Sequence, residues 1–215
     1  MNNIKACIFD LDGVIVDTAK YHYLAWKRLA NELGFDFSEE DNERLKGVSR
    51  MDSLEILLEI GNKNFDEETK KQLAEKKNSW YVEYISKMTE DEILPGVREF
   101  LTLLREAGIK ISLGSVSKNS MKILNSINLV SYFDAIIDGT KITKAKPDPE
   151  VFLKGAQELN VEPKDCVVFE DAAAGIDGAI NAGMYSIGVG SPEILHKANK
   201  VIGSFVDKDL LLLKL

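Results

Sequence analysis

The chain has 215 residues, of which 45% are hydrophobic and 29% charged, and its formal net charge is −8. This is the composition of a folded globular protein that can form a hydrophobic core without disulfides or a structural metal, and its acidic balance weighs against nucleic-acid binding. No stretch approaches the roughly 18 apolar residues of a membrane span and no signal-peptide pattern opens the chain, so we expect a cytoplasmic protein that does not enter a membrane.

Short apolar runs predict the strands. Residues 4–9 (IKACIF) stop abruptly at the polar segment DLDG, as a buried parallel strand does at the edge of its sheet. Cys7 lies in this run and Cys166 in another, so we expect both to be buried free thiols. Runs of the same kind recur at 109–113, 135–137, 166–169 and 185–189.

Helical periodicity alternates with these runs. Val97, Phe100, Leu101 and Leu104 recur at the spacing of one helix face, within residues 97–107. Alternation of strands and helices predicts an α/β fold in which helices cover both faces of a parallel sheet. The same helical pattern appears at 119–128, 148–159 and 173–182.

The segment 16–92 interrupts this alternation, because it carries helical patterns and no convincing strand. Its first candidate helix covers residues 18–33 and is followed by Gly34, a residue favoured just after a helix. We therefore predict two domains, an α/β core of residues 1–15 and 93–215 and a helical insert of residues 16–92. Further candidate helices of the insert cover 38–46, 50–60 and 66–87.

Two carboxylates stand directly after the first predicted strand, in the segment FDLDGVIVDT (9–18). Ligand sites of open α/β sheets lie at the carboxyl ends of the strands, where Asp10 could attack an electrophile or bind a metal. Asp12 could lie on the same side and carry a proton, and Gly13 would permit a tight turn. The alternative is an Asp-Gly turn with solvated acids.

Serines follow the second predicted strand, in the segment LGSVSKN (113–119). Backbone N–H groups at the start of the next helix, together with Ser115 and Ser117, could bind a phosphate. Helix capping is the favoured alternative for this segment taken alone, because Ser and Asn are common cap residues.

Two lysines, Lys144 and Lys146, precede a helix start marked by prolines in the segment KAKPDPE (144–150). A lysine close to an acid cluster would neutralise the charge of a phosphate. Taken alone, the segment is more typical of a surface lysine pair before a turn.

Adjacent acids, Glu170 and Asp171, end the strand run of the segment VVFEDAAAGIDGAINAG (167–183). Their carboxylates, joined to that of Asp10, would suit Mg²⁺, which prefers oxygen ligands. The small residues that follow would let the loop and the next helix approach closely. The alternative is a helix N-cap, where an acid is favourable.

These four segments, in this order, resemble the motifs of the haloacid dehalogenase superfamily of phosphotransferases, and the resemblance spans essentially the whole chain. The resemblance implies a Rossmann-like core with a mobile helical cap inserted after the first motif. It also implies that Asp10 is the phosphate-accepting nucleophile and Asp12 the acid–base group. Ser115 and Lys146 would contact the transferring phosphate. The implied ligands of Mg²⁺ are Asp10, the Asp12 main-chain oxygen, Glu170 and Asp171.

Within the superfamily, several stretches are similar to the β-phosphoglucomutase family, namely residues 9–30, 45–54 and 76–82 together with SVSKN (115–119) and AKPDPE (145–150). This resemblance implies that Arg50 holds the phosphate that is not transferring and that Lys77 is the cap lysine. It also implies that His22 helps to orient Asp12. Without the resemblance, His22 and Trp26 would be interpreted as ordinary residues of a packed helix. The implied substrate-binding residues are Thr18, His22, Trp26, Gly47, Arg50, Ser53, Lys77, Ser117 and Asn119.

The function implied by this resemblance is interconversion of β-D-glucose 1-phosphate and D-glucose 6-phosphate through an aspartyl-phosphate enzyme and β-glucose 1,6-bisphosphate. A sugar-phosphate phosphatase on the same scaffold is the alternative, because both reactions use the same aspartyl phosphate and the cap separates them. A non-catalytic binding module is a third hypothesis, which the complete set of motifs disfavours. We expect a small sugar phosphate as partner, Mg²⁺ as cofactor and a monomeric chain.

Overall fold

The computed structural model describes residues 4–45 and 49–214. The chain divides into two compact units. Met1–Asp17 and Met88–Leu215 form one, called the sheet unit below, and Thr18–Lys87 form the other, called the helical unit. Among the described residues, no helix is long and apolar enough to span a membrane.

Within the described residues, the sheet unit contains one sheet of six parallel strands. These are β1 (Ala6–Phe9), β2 (Lys110–Gly114), β3 (Ala135–Ile137), β4 (Cys166–Glu170), β5 (Tyr185–Val189) and β6 (Lys200–Ile202), in the spatial order β3-β2-β1-β4-β5-β6. Phe9 pairs with Leu113 on one side and Phe169 on the other, so the carboxyl ends of three strands lie level. The predicted α/β fold is confirmed, and Cys7 and Cys166 are buried free thiols as expected.

The sixth strand was not predicted from the sequence. β6 has three residues, begins with the exposed Lys200 and is half-buried at Val201, so it shows neither an apolar run nor a clear alternation. It forms because its residues pair with the stretch from Ile187 to Val189 of β5. Pairing with the preceding strand therefore decides β6, and the local sequence pattern does not.

Side-chain caps begin three helices of the helical unit. Its helices are α1 (Ala19–Glu32), α2 (Glu39–Glu43), α3 (Arg50–Ile60) and α4 (Glu67–Ile85). Ser38 and Asp41 form a reciprocal capping box at α2, Ser49 caps α3, and Asp66 Oδ1 accepts a bond from Thr69 N–H at 2.7 Å in front of α4. α2 ends earlier than the predicted helix over 38–46, and residue 46 lies outside the described part of the chain.

Helices of the sheet unit pack on both faces of the sheet. They are α5 (Val97–Glu106), α6 (Ser120–Ser126), α7 (Glu150–Leu159) and α8 (Ala173–Asn181). Successive strand residues point to opposite faces, so Ile8 and Phe9 of β1 belong to different layers. Ile8 lies in an apolar cluster with Phe152 of α7 and Ala179 of α8, whereas Phe9 contacts Phe100 of α5.

Phenylalanine rings fill the layer beneath α5. Phe9 and Phe169 stack with their ring centroids 4.7 Å apart, and Phe100 meets Phe169 edge-on at 5.6 Å. Phe205 adds a ring 5.2 Å from that of Phe100, which ties the C-terminal segment to the strands that carry the candidate site. Aromatic clusters of this kind combine a large buried area with favourable ring geometry.

We predict that Phe100→Ala lowers the free energy of unfolding by about 3–5 kcal/mol, the range for truncating a buried aromatic side chain. The ring is fully buried, so its removal leaves a cavity beside Phe9 and Phe169. Urea denaturation followed by far-UV circular dichroism measures the change. Ile194→Ala is the control because Ile194 is 60% exposed, and an equal loss in both variants would contradict a core centred on Phe100.

Candidate active site

Asp10 lies directly after β1, at the carboxyl edge of the sheet, and its side chain is buried. Its backbone N–H donates to Phe169 O at 3.0 Å, which continues the pairing of β1 with β4 by one step. The chain then turns back at Gly13, whose φ is +73° and whose N–H donates to Val16 O at 2.7 Å. A Cβ on Gly13 would overlap the carboxylate of Asp171, so glycine is required both by the turn and by this close approach.

Lys146 reaches into the site from the loop before α7. Its Nζ donates to Asp10 Oδ1 at 2.5 Å and to Glu170 Oε1 at 2.6 Å, and its side chain is 9% exposed. Burial alone would lower the pKa of Lys146, but the two carboxylates outweigh it and raise the pKa. The surface-lysine interpretation is therefore wrong for Lys146, although it holds for Lys144, which is exposed and pairs with Asp148 at 3.3 Å.

Asp10, Glu170 and Asp171 form an acidic cluster at this edge. One carboxylate oxygen from each lies within 4.8 Å of the others. Burial, and then the neighbouring charges of Glu170 and Asp10, raise the pKa of Asp171 to about 8, and burial raises the pKa of Asp10 to about 7 against the opposing effect of Lys146. A set of crowded carboxylate oxygens of this kind can hold a divalent metal ion.

Glu170 is held against the start of α8. Its Oε2 accepts a bond from Ala172 N–H at 2.8 Å, and a Cβ on Gly175 would overlap its carboxylate. Ala172 is the N-cap residue of α8 and provides no side-chain cap, so the interpretation of these acids as an N-cap is wrong. The small residues do permit the close approach that the sequence predicted.

The two serines after β2 organise the loop that they belong to. Ser115 Oγ accepts a bond from Ser117 N–H at 3.2 Å, and Ser117 Oγ accepts one from Asn119 N–H at 3.3 Å. Ser115 and Asn119 are buried, and Asn119 is the N-cap residue of α6 without a side-chain cap bond. The two hydroxyls thus stabilise the loop after β2 by accepting bonds from its own backbone. Helix capping therefore does not explain the presence of these serines.

Gly139 supports this loop from behind and was missed in the sequence. Its N–H donates to Ser117 O at 3.1 Å, and a Cβ at this position would overlap Val116 O. The available signal was the segment DGT (138–140), a second Asp-Gly turn directly after a predicted strand.

The helical unit contains a cluster of basic and aromatic side chains around Lys77, defined by His22, Trp26, Arg50 and Lys77. Lys77 is 3% exposed, with its Nζ 3.0 Å from His22 Nδ1 and 4.4 Å from the centroid of the Trp26 ring. Burial, and then the charge of Arg50, lower the pKa of Lys77 to about 7. Burial also lowers the pKa of His22, together with the charges of Lys77 and Arg50. Neither Lys77 nor Arg50 forms an ion pair with a carboxylate in the described part of the chain.

The other predicted substrate residues of the helical unit lie near this cluster or outside the described residues. Thr18 Oγ1 accepts a bond from Tyr81 Oη at 3.4 Å, and the Tyr81 ring lies 4.1 Å from that of His22. Ser53 is buried on α3, one turn after Arg50. Gly47 lies outside the described residues.

A family model described as haloacid dehalogenase-like hydrolase matches residues 4–183. The chain belongs to this family. The resemblance inferred from the order of the four segments is thereby confirmed. In this haloacid dehalogenase-like protein the carboxyl edge of the sheet carries the nucleophile candidate, the lysine and the acids together.

Two β-phosphoglucomutases and one phosphatase are among the proteins similar to this chain. The chain is 44% identical to the β-phosphoglucomutase of Bacillus subtilis, over 98% of this chain and 94% of that one. A crystal structure of β-phosphoglucomutase from Clostridium difficile superimposes with a TM-score of 0.89 at 47% identity, covering 98% of this chain and 96% of that one. A phosphorylated carbohydrates phosphatase of Thermotoga maritima is 34% identical over 86% of this chain and 84% of its own. This haloacid dehalogenase-like protein is therefore an enzyme, as the sequence predicted.

We predict that Gly175→Ala weakens the binding of a divalent cation about 10–100-fold, because the new Cβ would displace the Glu170 carboxylate. Calorimetric titration with Mg²⁺ measures the affinity. Gly203→Ala is the matched control, since nothing lies within 4 Å of a Cβ built there. Unchanged affinity in Gly175→Ala would show that Glu170 takes no part in binding.

A buried lysine with a lowered pKa makes the stability of the helical unit depend on pH. The unfolded chain keeps a proton on Lys77 up to a pKa of 10.5, whereas the folded chain releases it above about 7. The unfolded state therefore binds more protons between these values, and the free energy of unfolding rises with pH from about 7 to 10. We predict that Lys77→Met flattens this rise.

Tryptophan fluorescence during urea unfolding measures this effect, because both tryptophans, Trp26 and Trp80, belong to the helical unit. Lys76→Met is the control, since the Lys76 side chain is 51% exposed on the same helix. The interpretation fails if Lys77→Met keeps the slope of the wild-type chain.

Proposed function

We propose that the chain is a phosphomutase that interconverts β-D-glucose 1-phosphate and D-glucose 6-phosphate. The observation that carries the proposal is the contact of Lys146 Nζ with Asp10 Oδ1 at 2.5 Å, beside the acids Glu170 and Asp171. A carboxylate held against a fixed cation is placed to attack the phosphorus of a phosphate ester. Identity of 44% to a β-phosphoglucomutase over 98% of the chain favours the mutase over the phosphatase.

Mg²⁺ is the ion that we propose for the acidic cluster, with Asp10, the Asp12 main-chain oxygen, Glu170 and Asp171 as its ligands. The donor set fits, because carboxylate oxygens within 4.8 Å of one another are hard ligands whose mutual repulsion a divalent cation relieves. When bound, the ion neutralises charge on the phosphoryl oxygens.

Asp10 is the proposed nucleophile. Its carboxylate attacks the phosphorus atom, an aspartyl phosphate forms, and the bond from phosphorus to the ester oxygen breaks. Asp12 gives a proton to the departing oxygen and later takes one from the incoming hydroxyl, help that is typically worth about 10²–10⁴-fold. Lys146 and Ser115 contact the transferring group. The aspartyl phosphate gives its phosphoryl group to the 6-hydroxyl of β-glucose 1-phosphate, which forms β-glucose 1,6-bisphosphate. Attack of Asp10 on the 1-phosphate of the bisphosphate then releases glucose 6-phosphate and forms the aspartyl phosphate again.

The bisphosphate carries a second phosphate, which we assign to the helical unit. Arg50 and Lys77 form no ion pair with a carboxylate in the described ranges, and a bound phosphate would favour the protonated form of Lys77, whose pKa burial and Arg50 lower to about 7. Arginine suits this role because its planar fork meets a phosphate in a bidentate manner. The remaining proposed substrate contacts are Thr18, His22, Trp26, Gly47, Ser53, Ser117 and Asn119.

A mutase has to pass the phosphoryl group to a sugar hydroxyl and not to water. We assign water exclusion to the helical unit, which would act as a cap once the sugar phosphate is bound. The cytoplasmic location and the monomeric state stay predictions from the sequence.

Phosphorus NMR of the enzyme with β-glucose 1-phosphate, Mg²⁺ and a trace of the bisphosphate tests the proposal. We expect the substrate resonance to be replaced by that of glucose 6-phosphate, and we expect Asp10→Asn to abolish the change because it removes the nucleophile. Free phosphate with little isomer would replace the mutase by a phosphatase. Full turnover in Asp10→Asn would place the chemistry at another site.

A further inference from the structure

The loop that carries Lys146 has no regular secondary structure between β3 and α7. Its lysine nevertheless places Nζ 2.5 Å from Asp10 Oδ1 and 2.6 Å from Glu170 Oε1. Misplacing a catalytic group by about 1 Å can lower the reaction rate about a hundredfold. Other residues must therefore hold this loop in place. None of the residue roles described above provides this support.

Glu150, the first residue of α7, makes a concentrated set of contacts to the loop. Its Oε2 accepts bonds from Thr143 N–H at 2.9 Å, from Thr143 Oγ1 at 3.1 Å and from Lys144 N–H at 2.8 Å. Its Oε1 pairs with Lys154 Nζ at 2.7 Å, one helical turn further on. A single carboxylate thus fixes two consecutive backbone N–H groups just before Lys146.

The chain on the other side of Lys146 is anchored as well. Asn181 Nδ2 donates to Pro147 O at 3.0 Å, which ties the loop to α8. Lys146 Nζ itself lies 5.1 Å from the centroid of the Phe152 ring on α7. Glu150 and Asn181 thus fix the chain on either side of Lys146, and of these two residues Glu150 is the charged one.

We propose that Glu150 is a positioning residue that holds the 143–146 loop so that Lys146 stays on Asp10 and Glu170. Its carboxylate does not contact the reacting atoms and acts through the backbone of the loop. The effect on turnover rests on the proposed function, whereas the effect on Lys146 does not. The bond to Lys154 and the N–H groups of Thr143 and Lys144 lower the pKa of Glu150 to about 2, so the carboxylate stays ionised at neutral pH.

Chemical acetylation of lysines, read by peptide mass spectrometry, tests the proposal without any assay of activity. In the wild-type chain Lys146 should react slowly, because its side chain is 9% exposed and paired with two carboxylates. In Glu150→Ala the loop is released and Lys146 should react several-fold faster, because its amine leaves the two carboxylates and becomes accessible to the reagent. Lys144, whose side chain is 69% exposed, is the internal reference and should not change.

Conservative variants separate the hydrogen bonds from the charge. Glu150→Gln keeps an oxygen that can accept the three loop bonds, so Lys146 should remain protected. Glu150→Asp keeps an acid at the start of α7 but withdraws the carboxylate, so Lys146 should become reactive even if Glu150→Ala fails to fold. Glu158→Gln is the matched control, because it removes an exposed acid of the same helix whose partner is the exposed Lys141.

Kinetics provide the second measurement. We expect Glu150→Ala to lower kcat about a hundredfold with little change in KM, because only the phosphoryl-transfer step depends on Lys146. On a Lys146→Ala background the same substitution should have no further effect on the residual rate. A purely structural role for Glu150 would lower the rate on both backgrounds.

The outcomes keep the two proposals apart. If folded Glu150→Ala and Glu150→Asp leave Lys146 as protected as in the wild-type chain, the positioning role is overturned whatever the enzyme does. If the wild-type chain forms no isomer but Lys146 becomes reactive in these variants, the proposed mutase activity fails and the positioning of Lys146 by Glu150 stands.

Discussion

Lys146 carries its positive charge into a site where Asp10, Glu170 and Asp171 crowd their carboxylates together, and the surrounding structure is arranged around this contact. Burying several like charges is costly unless they are paired and hydrogen-bonded. The lysine compensates part of that cost, and a divalent cation would compensate the rest. The parallel sheet makes the arrangement achievable because it brings the ends of β1 and β4 level.

The two units differ in the balance of acidic and basic side chains at their clusters. The sheet unit has three clustered carboxylates beside one lysine, whereas Arg50 and Lys77 of the helical unit have no carboxylate partner in the described residues. An excess of acid suits a metal ion, and an excess of cations suits a phosphate. A reaction whose intermediate carries two phosphates and needs a cation uses both kinds of site, which is the physical reason to prefer a mutase.

Glycines show how closely the backbone had to approach the acids. Gly13 lies against Asp171 and Gly175 against Glu170, so each acid is held by a neighbour that has no side chain. The sequence indicated a turn at Gly13 and a close approach of loop and helix in the fourth segment. Only the tertiary structure shows which acid each glycine contacts. Gly13 and Asp171 are distant in sequence, and the contact of Gly175 with Glu170 depends on the rotamer of the glutamate side chain.

Much of the fold followed from the sequence, because apolar runs and helical periodicity are local signals, and the same signals placed Asp10 and Glu170 at strand ends. Local patterns left open which of two lysines enters the site, and only the resemblance implied Lys146. The tertiary structure brings Lys146 to Asp10 across 136 positions of the chain, while Lys144 faces solvent. It also decided β6, whose three residues become a strand by pairing with β5. Periodicity predicts which face of an element is buried, but the partner of a charged side chain depends on the packing of distant segments.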